Sequence, residues 1–431
     1  KRQPQPTGEH AGAPSRRPAP LVARVPWTPI VLTLLVMLLA AGGLRPVRDA
    51  ATLADVSQAY LAKPVGYVAL GPVSAVFDTV LLLSVRQHVA LLVGLMVLFV
   101  AYRVLRHLWR GSTTRAHLLS LAVFAGVFVL TYAGAILLPR PMAYLATQDP
   151  RIMVVDFHSH TSASGDARRG FSVEDNRDWH RRAGYDVAVI TDHATVTGAE
   201  RGLANNTASG LDEPMVVQGI EVTWTGEHVS VLGAQRTYTG MLTENLRDID
   251  PDALRLVSVV ASREPVVIWH HPRDLNRLPP ATGPSTAGIR AVEIANGSPD
   301  NMDDLKPRRA QILAFAQRHD FMLTTGSDNH GWGYTAPAWT LMRPPVWRGL
   351  SSDDLALGIE RVVREAGLRG SRTVERTVPY PSSIAGLAVT VLSVPFTMIR
   401  VLSPDERVMW LVWIWAVWGI ARWATHRRAR S

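Results

Sequence analysis

The stretch Met153–Asp166, MVVDFHSHTSASGD, decides how the rest of the chain is read. Met153 to Phe157 is an apolar run of strand length, and it opens into a Ser/Thr/Gly segment at His158 and His160. Residues i and i+2 of an extended chain share a face, so both imidazoles can reach one metal ion while Ser159 turns away. Among 14 histidines, one such pair decides little by itself.

The same event recurs along the chain. YDVAVITDH ends in Asp192 and His193, MVVQGIEVTW carries Glu221, and EHVSVLG places His228 at the start of a run. VVIWHHP ends in His270 and His271, AVEIANG contains Glu293, and FMLTTGSDNH ends in Asp328 and His330. Taken singly, a histidine after a strand is usually a hydrogen-bonded core or loop residue, and an aspartate is usually a helix cap. As a set, these polar side chains gather at strand ends. Where strands alternate with helices in a barrel, the C-terminal strand ends converge on one mouth, so the pattern predicts an α/β fold with a metal site there.

The order HxH, TDH, GIE, EH, HP, SDNH resembles the polymerase and histidinol phosphatase (PHP) family over residues 151–343, roughly half of the chain. The resemblance implies a distorted (β/α)7 barrel holding two or three divalent ions. Carried over by position, it implies His158, His160, His193, His228, His271, Asp328 and His330 as ligands, with Glu221 bridging two ions. One position departs from the family pattern. Five residues after His160, where family members commonly carry Asp or His, stands Gly165, followed by Asp166. Either Asp166 takes over as ligand, or one ion position is weakened or vacant. Glu293 is expected to be structural or to stand behind the ligands.

Imidazoles and carboxylates without thiolates suit Mn²⁺, Zn²⁺ or Fe²⁺, and the chain has no cysteine at all. A bridging carboxylate holds two cations close enough to acidify a water between them, and that bridging hydroxide would be the nucleophile. Phosphate esters suit such a pair best, because cations neutralise both the non-bridging oxygens and the departing alkoxide. Glu221, Asp192 and Arg273 are the residues expected to act in catalysis. Arg273 follows His271 and Pro272, where a guanidinium could grip phosphate with two parallel hydrogen bonds; a solvated loop arginine is the equal alternative, as it is for Arg168 and Arg169. The expected activity is therefore a phosphoesterase acting on a phosphorylated small molecule. An amidohydrolase and a non-catalytic membrane sensor are the alternatives, the vacancy at Gly165 favouring the last.

The flanks are of a different character. Of 431 residues, 47% are hydrophobic, with 13 tryptophans, which is high for a soluble enzyme. Residues 1–26 read as a basic disordered tail rich in Pro, Gly and Arg, and a secretory leader is not expected, because the next apolar segment is too long for one. Residues 27–138 read as an N-terminal transmembrane region of three or four spans: Trp27 to Leu44, Val89 to Val104, Leu118 to Leu138, and the doubtful Val65 to Val85, which carries Pro72 and Asp78. Residues 151–375 are the hydrolase domain. Residues 384–423 read as a C-terminal pair of spans, Ile384 to Leu402 and Val408 to Trp423, and residues 424–431 as a basic tail.

Arginines in the N-terminal tail and at 103, 106, 110 and 115 favour a cytoplasmic position for both segments, which puts the hydrolase domain outside. The C-terminal THRRARS opposes this, since two trailing spans would carry it outside too. The expected location is a bacterial plasma membrane, with the hydrolase domain extracytoplasmic. The net charge of +9 suits anionic lipid, and no aromatic and basic recognition motif points to nucleic acid. Nothing in the chain indicates an oligomeric state. Within the soluble part, Phe171 to Tyr185 has helical spacing with His180 expected at the surface, and Met302 to Asp320 reads as an amphipathic helix.

Overall fold

The structure is a computed structural model and describes residues 25–111, 113–207, 213–233, 247–249, 266–278, 288–381 and 383–428. The N-terminal basic tail up to residue 24 and the last three residues of the C-terminal tail lie outside the described residues.

The strand predicted first, β4 (Met153–Ser159), has all seven residues buried. Met153, Val155 and Phe157 pack into a core with Val187, Val189, Ile268 and Met322. β5 (Val187–Ile190) and β6 (Met215–Trp224) run parallel to β4 and are almost continuously apolar, as strands covered on both faces must be. Between β4 and β5 lies the helix Val173–Ala183, started by a reciprocal Ser172/Asp175 capping box. It stops at Gly184, in left-handed conformation at φ +83°. A Cβ there would also lie 2.3 Å from the Leu145 carbonyl oxygen, so glycine is required twice over.

After β6 the alternation of strand and helix breaks. β7 (Glu227–Leu232) returns antiparallel to β6 across a turn at Thr225 and Gly226, and β8 (Val266–Trp269) is antiparallel to β7. β9 (Ile289–Asn296) and β10 (Met322–Gly326) are again parallel, joined by the helix Pro299–His319. β11 (Ala338–Met342) and β12 (Ser371–Arg376) then pair antiparallel on the other side of β4. β1 (Val47–Asp49), from between the first two apolar segments, pairs with β12. β2 (Ala59–Ala62) and β3 (Tyr144–Thr147) form a separate ribbon.

The ladder order is β1-β12-β11-β4-β5-β6-β7-β8-β9-β10. The sheet curls, bringing the end of β10 back to β4: Asp328 N donates to His158 O at 2.8 Å, and His160 N to Asn329 O at 3.1 Å. The α/β class expected from sequence is therefore present as a curled, mixed, ten-stranded sheet. Regular sevenfold alternation is not what it shows, because the 225–226 turn is too short to hold a crossover helix.

Among the described residues three helices are long and apolar enough to cross a membrane: Val85–Arg110, Thr114–Leu137 and Pro404–Arg428. At 1.5 Å per residue each is roughly 36–39 Å long, against about 30 Å for a hydrocarbon core. Trp27–Ala41 has 15 residues and packs through Val36 and Ala40 beside Leu402 and Trp410. Val65 to Val85, the doubtful fourth span, is two short helices, Val65–Ala69 and Gly71–Leu81. Its Asp78 is buried against Arg140 and Arg376, the second of which is the last residue of β12.

Ile384 to Leu402, expected as a span, is also broken. It forms helices Ile384–Ala388 and Thr390–Arg400, the second with Pro395 inside, and Val391 packs against Gly94 of the Val85–Arg110 helix. The division falls at Val389, between the two helices, and Pro395 lies within the second of them. The trailing pair is thus one long helix and one segment folded back on its neighbours.

Each of the three long helices meets, at one end, segments packed around the sheet. Arg86 N donates to Asp303, Gly333 N donates to Ile136 O, and Lys63 pairs with Glu406. The Gly111 end of Val85–Arg110, the Thr114 end of Thr114–Leu137 and the C-terminal Arg427 and Arg428 therefore lie away from the sheet.

Candidate metal centre

The curl of the sheet collects the strand-end residues. His158 and His160 leave β4 on one face, and both Nε2 atoms turn to Glu221 Oε2, at 2.9 and 3.3 Å. Glu221 Oε1 lies 2.7 Å from His228 Nδ1, across the β6–β7 pair, and His193 Nε2 is 3.7 Å from Oε2. Asp328 Oδ1 is 3.5 Å from His158 Nε2, 3.3 Å from His160 Nε2 and 3.4 Å from His330 Nδ1. His271 packs its ring 5.0 Å from that of His228.

Asp166 enters the same cluster. Its Oδ2 lies 3.1 Å from His330 Nε2 and 3.3 Å from His193 Nε2. The turn that carries it inward passes through Gly165 at φ +85°, a conformation open to glycine and costly for a larger residue. Glycine thus makes the turn, and the next residue, Asp166, carries a carboxylate into the cluster.

Among the described residues, four overlapping groups have donor atoms close enough to share an ion: His160–Asp166–His193–His330, His158–His160–Glu221, His193–Glu221–His228 and His158–His270–Glu293. His160 Nε2 is buried with no hydrogen-bond partner, although two carboxylate oxygens lie 3.3 Å away. A buried nitrogen so placed fits a cation between it and those oxygens, since an unpaired polar atom in the interior is otherwise costly. The donor set, imidazole and carboxylate, fits divalent transition metals.

Electrostatics agree with that fit. For Glu221, Asp328, His158 and His160 burial opposes charge, yet mutual attraction wins. Glu221 is pushed up by desolvation but held well below the usual carboxylate range by His158, His160 and His228. Asp328 is held low by His158 and His160 against the same burial. His160 is lowered by burial and then raised to about 9 by Asp328 and Glu221, and His158 also ends well above its ordinary value. His271, with weaker partners, is lowered by burial to about 4.

A supporting layer lies behind the ligands. Glu293 is fully buried, with Oε1 3.4 Å from His158 Nδ1, while its Oε2 accepts from His271 N at 2.9 Å and from Asn296 Nδ2 at 3.0 Å. A carboxylate on the far nitrogen of an imidazole fixes its orientation, and Glu293 lies on the side of His158 opposite Glu221. Asn301 Nδ2 donates to Asp328 Oδ2 at 2.9 Å. His271 at φ +27° and Asp328 at φ +50° hold backbone conformations that L residues adopt at a cost of about 1–3 kcal/mol, and both carry side chains of the cluster.

Several expectations end elsewhere. Asp192 spends both oxygens on Thr161, accepting from its N at 2.6 Å and its Oγ1 at 2.7 Å, which holds the loop after His160 rather than facing the cluster. Arg273 is half-exposed, and its Nε donates to Asp304 Oδ2 at 3.1 Å, because a carboxylate on the Pro299–His319 helix competes for it. Arg168 lies over the Phe171 ring.

His180, expected at the surface, is fully buried, with Nε2 2.7 Å from Asp156 Oδ2. Asp156 in turn accepts from Ser327 N, just before the Asp328 turn. The signal was in the helix period: Val173, Asn176, His180 and Ala183 form one buried stripe. His270 was also given no role. Its ring lies 3.8 Å from that of His158, and its Nε2 is 2.5 Å from Ser230 Oγ.

No family model and no curated protein matches the chain. Among solved structures it is similar to PsfC from Pseudomonas syringae PB-5123 at 16% identity and TM-score 0.36, over 58% of this chain and 99% of that one. A protein from Bifidobacterium adolescentis described as a metal-dependent phosphoesterase matches at 17% identity and TM-score 0.28, over 47% and 94%. The lesion-specific endonuclease PfuEndoQ from Pyrococcus furiosus matches at 10% identity and TM-score 0.32, over 52% and 57%. Likeness at this level carries no argument about chemistry, which has to come from the site.

Proposed function

We propose that this chain is a membrane-embedded, metal-dependent hydrolase, and within that class a phosphoesterase. The observation that carries the reading is Glu221: one buried carboxylate with an imidazole pair, His158 and His160, at Oε2 and a further imidazole, His228, at Oε1. Such an arrangement suits two cations side by side. When bound, divalent ions there would supply Lewis acidity to ester oxygens and acidify a water near neutral pH.

The chain's own residues do the rest. Glu293 orients His158, Asp192 holds the loop after His160 through Thr161, and Asn301 steers Asp328. Adjacent cation positions favour phosphate over carbonyl chemistry, because the charge to be neutralised is spread over several oxygens. The PHP-like motif order supports the same choice.

The full chain, purified in detergent with Mn²⁺ added, should hydrolyse phosphomonoesters in a panel that also contains amides. Chelation and Glu221→Gln should each abolish that activity. Amide hydrolysis with no phosphate release would overturn the phosphoesterase reading.

We propose further that the sheet lies outside the cytoplasm, a reading that the helix directions support. The helix ends bearing Arg103, Arg106 and Arg115, and the end bearing Arg427 and Arg428, share the side away from the sheet, while Arg86 and Arg407 stand at the opposite ends of two of these helices. With one trailing span in place of two, the C-terminal arginines no longer oppose the others. Positive charge retained in the cytoplasm then leaves the sheet outside. An impermeant thiol reagent on intact cells should label Leu357→Cys and not Thr425→Cys, both exposed positions; the opposite pattern would place the hydrolase inside.

A further inference from the structure

The metal centre opens into a cavity of about 570 Å³ whose two ends differ in chemistry. Asp166, Asp328 and His330 line one end. Leu81, Tyr132 and Ile136 line the other, and the last two belong to the membrane-crossing helix Thr114–Leu137. The loop after His330 is docked on that helix end: Gly333 N donates to Ile136 O at 3.0 Å, and a Cβ at Gly333 would sit 2.7 Å from Leu81. Across the same wall, His88 Nδ1 of the Val85–Arg110 helix lies 2.8 Å from the Tyr132 hydroxyl. Trp332, half-exposed, stands at the rim.

The depth of this wall in the membrane is set by helix length. A helix of 24 residues is roughly 36 Å long, so each end passes about 3 Å beyond a 30 Å hydrocarbon core. Ile136, one residue before the end of that helix, stands at the edge of the hydrocarbon core, and Tyr132, about one turn deeper, stands roughly 4–5 Å inside it, with its side chain within reach of the interface that tyrosine favours. A site that handled only water-soluble esters would gain nothing from an apolar wall built of spanning helices.

We infer that the substrate is a membrane lipid bearing a terminal phosphate, its headgroup at the metal centre and the first part of its tails against Leu81, Tyr132 and Ile136. This rests on the phosphoesterase reading above and names its substrate class. A cavity of this size holds a headgroup and the start of the chains, and leaves the remainder in the bilayer. In the reaction, water adds its oxygen to phosphorus and the bond from phosphorus to the lipid oxygen breaks. The lipid leaves as an alcohol carrying a proton from that water, and inorganic phosphate is released.

The test compares dioleoyl phosphatidic acid in mixed micelles with glycerol 3-phosphate, using the full chain with Mn²⁺. The lipid should be hydrolysed with kcat/KM at least 100-fold above the soluble ester. Ile136→Trp, which fills the cavity, should reduce that ratio tenfold or more. Trp332→Ala, at an exposed position that cannot unfold the chain, should raise the KM for the lipid several-fold. Native mass spectrometry should show retained phosphatidic acid on the wild-type chain and less on Ile136→Trp, a readout independent of turnover. Equal hydrolysis of both esters, or of the soluble one alone, with ratios unchanged in both variants, would overturn the lipid assignment and leave the phosphoesterase standing. Hydrolysis of neither would overturn both.

Discussion

Asp78→Asn tests the joint between the membrane segment and the sheet. The Asp78 carboxylate accepts from Arg140 Nη2 at 2.6 Å, Arg376 Nη2 at 2.7 Å, the Tyr67 hydroxyl at 2.8 Å and Thr335 Oγ1 at 2.8 Å, and all but Thr335 are buried. An asparagine keeps one acceptor oxygen and turns an amide N–H₂ toward two guanidinium groups. Arg140 Nε and Nη1 and Arg376 Nη1 already lack partners, so no spare acceptor absorbs the loss. Removing one side of a buried ionic cluster costs about 3–5 kcal/mol, because the charges left behind remain desolvated.

At about 2–4 °C per kcal/mol for a domain of this size, the apparent Tm should fall by roughly 6–20 °C. The assay is thermal unfolding of the full chain in detergent, followed by tryptophan fluorescence. Asp178→Asn, which removes a half-exposed surface pair with Arg181, is the control and should cost no more than about 1 kcal/mol. An Asp78→Asn protein that melts within about 2 °C of wild type, the scale expected of a surface pair, would refute the buried joint and return Val65 to Val85 to the list of spans.

At the metal centre, Asp166→Ala should weaken Mn²⁺ binding at least tenfold, and Arg273→Ala should leave metal content unchanged; elemental analysis of both proteins checks the pair. His158 and His160 hold their protons above neutrality before metal arrives and must lose them to bind it, so titration calorimetry at pH 7 in two buffers of different ionisation enthalpy should show proton release, and affinity should weaken as pH falls. Identical heats in the two buffers would contradict this. Asp186, raised by burial to about 6, binds its proton more tightly folded than unfolded, so rising pH erodes stability between about 4 and 6 and the deficit persists above. Asp186→Asn, which keeps the acceptor for Val154 N, should therefore stabilise the chain at pH 8 by up to about 3 kcal/mol and not at pH 4, measured by melting at both pH values.

The strand-end residues were legible in the sequence because their signal is local. An apolar run that stops at a histidine or carboxylate reads the same in one dimension as in three, and β4 with His158 and His160 is the clearest case. The turn at Gly165 was visible as well, and Asp166 was named beside it. Helix period would have shown His180 as buried, had Asn176 and Ala183 been counted with it.

Contacts between distant segments could not be read that way, since sequence patterns give the buried face of an element and not its partner. The capture of Arg273 by Asp304 and of Asp192 by Thr161 depends on which neighbour the fold brings up first. The same is true of β1, drawn from between two membrane segments into the main sheet, and of Ile384 to Leu402, long enough to span by composition yet broken at Val389 and folded against Gly94. Apolar composition alone determined that these segments avoid water; whether lipid or protein covers each one was decided by packing, because both offer the same escape from it.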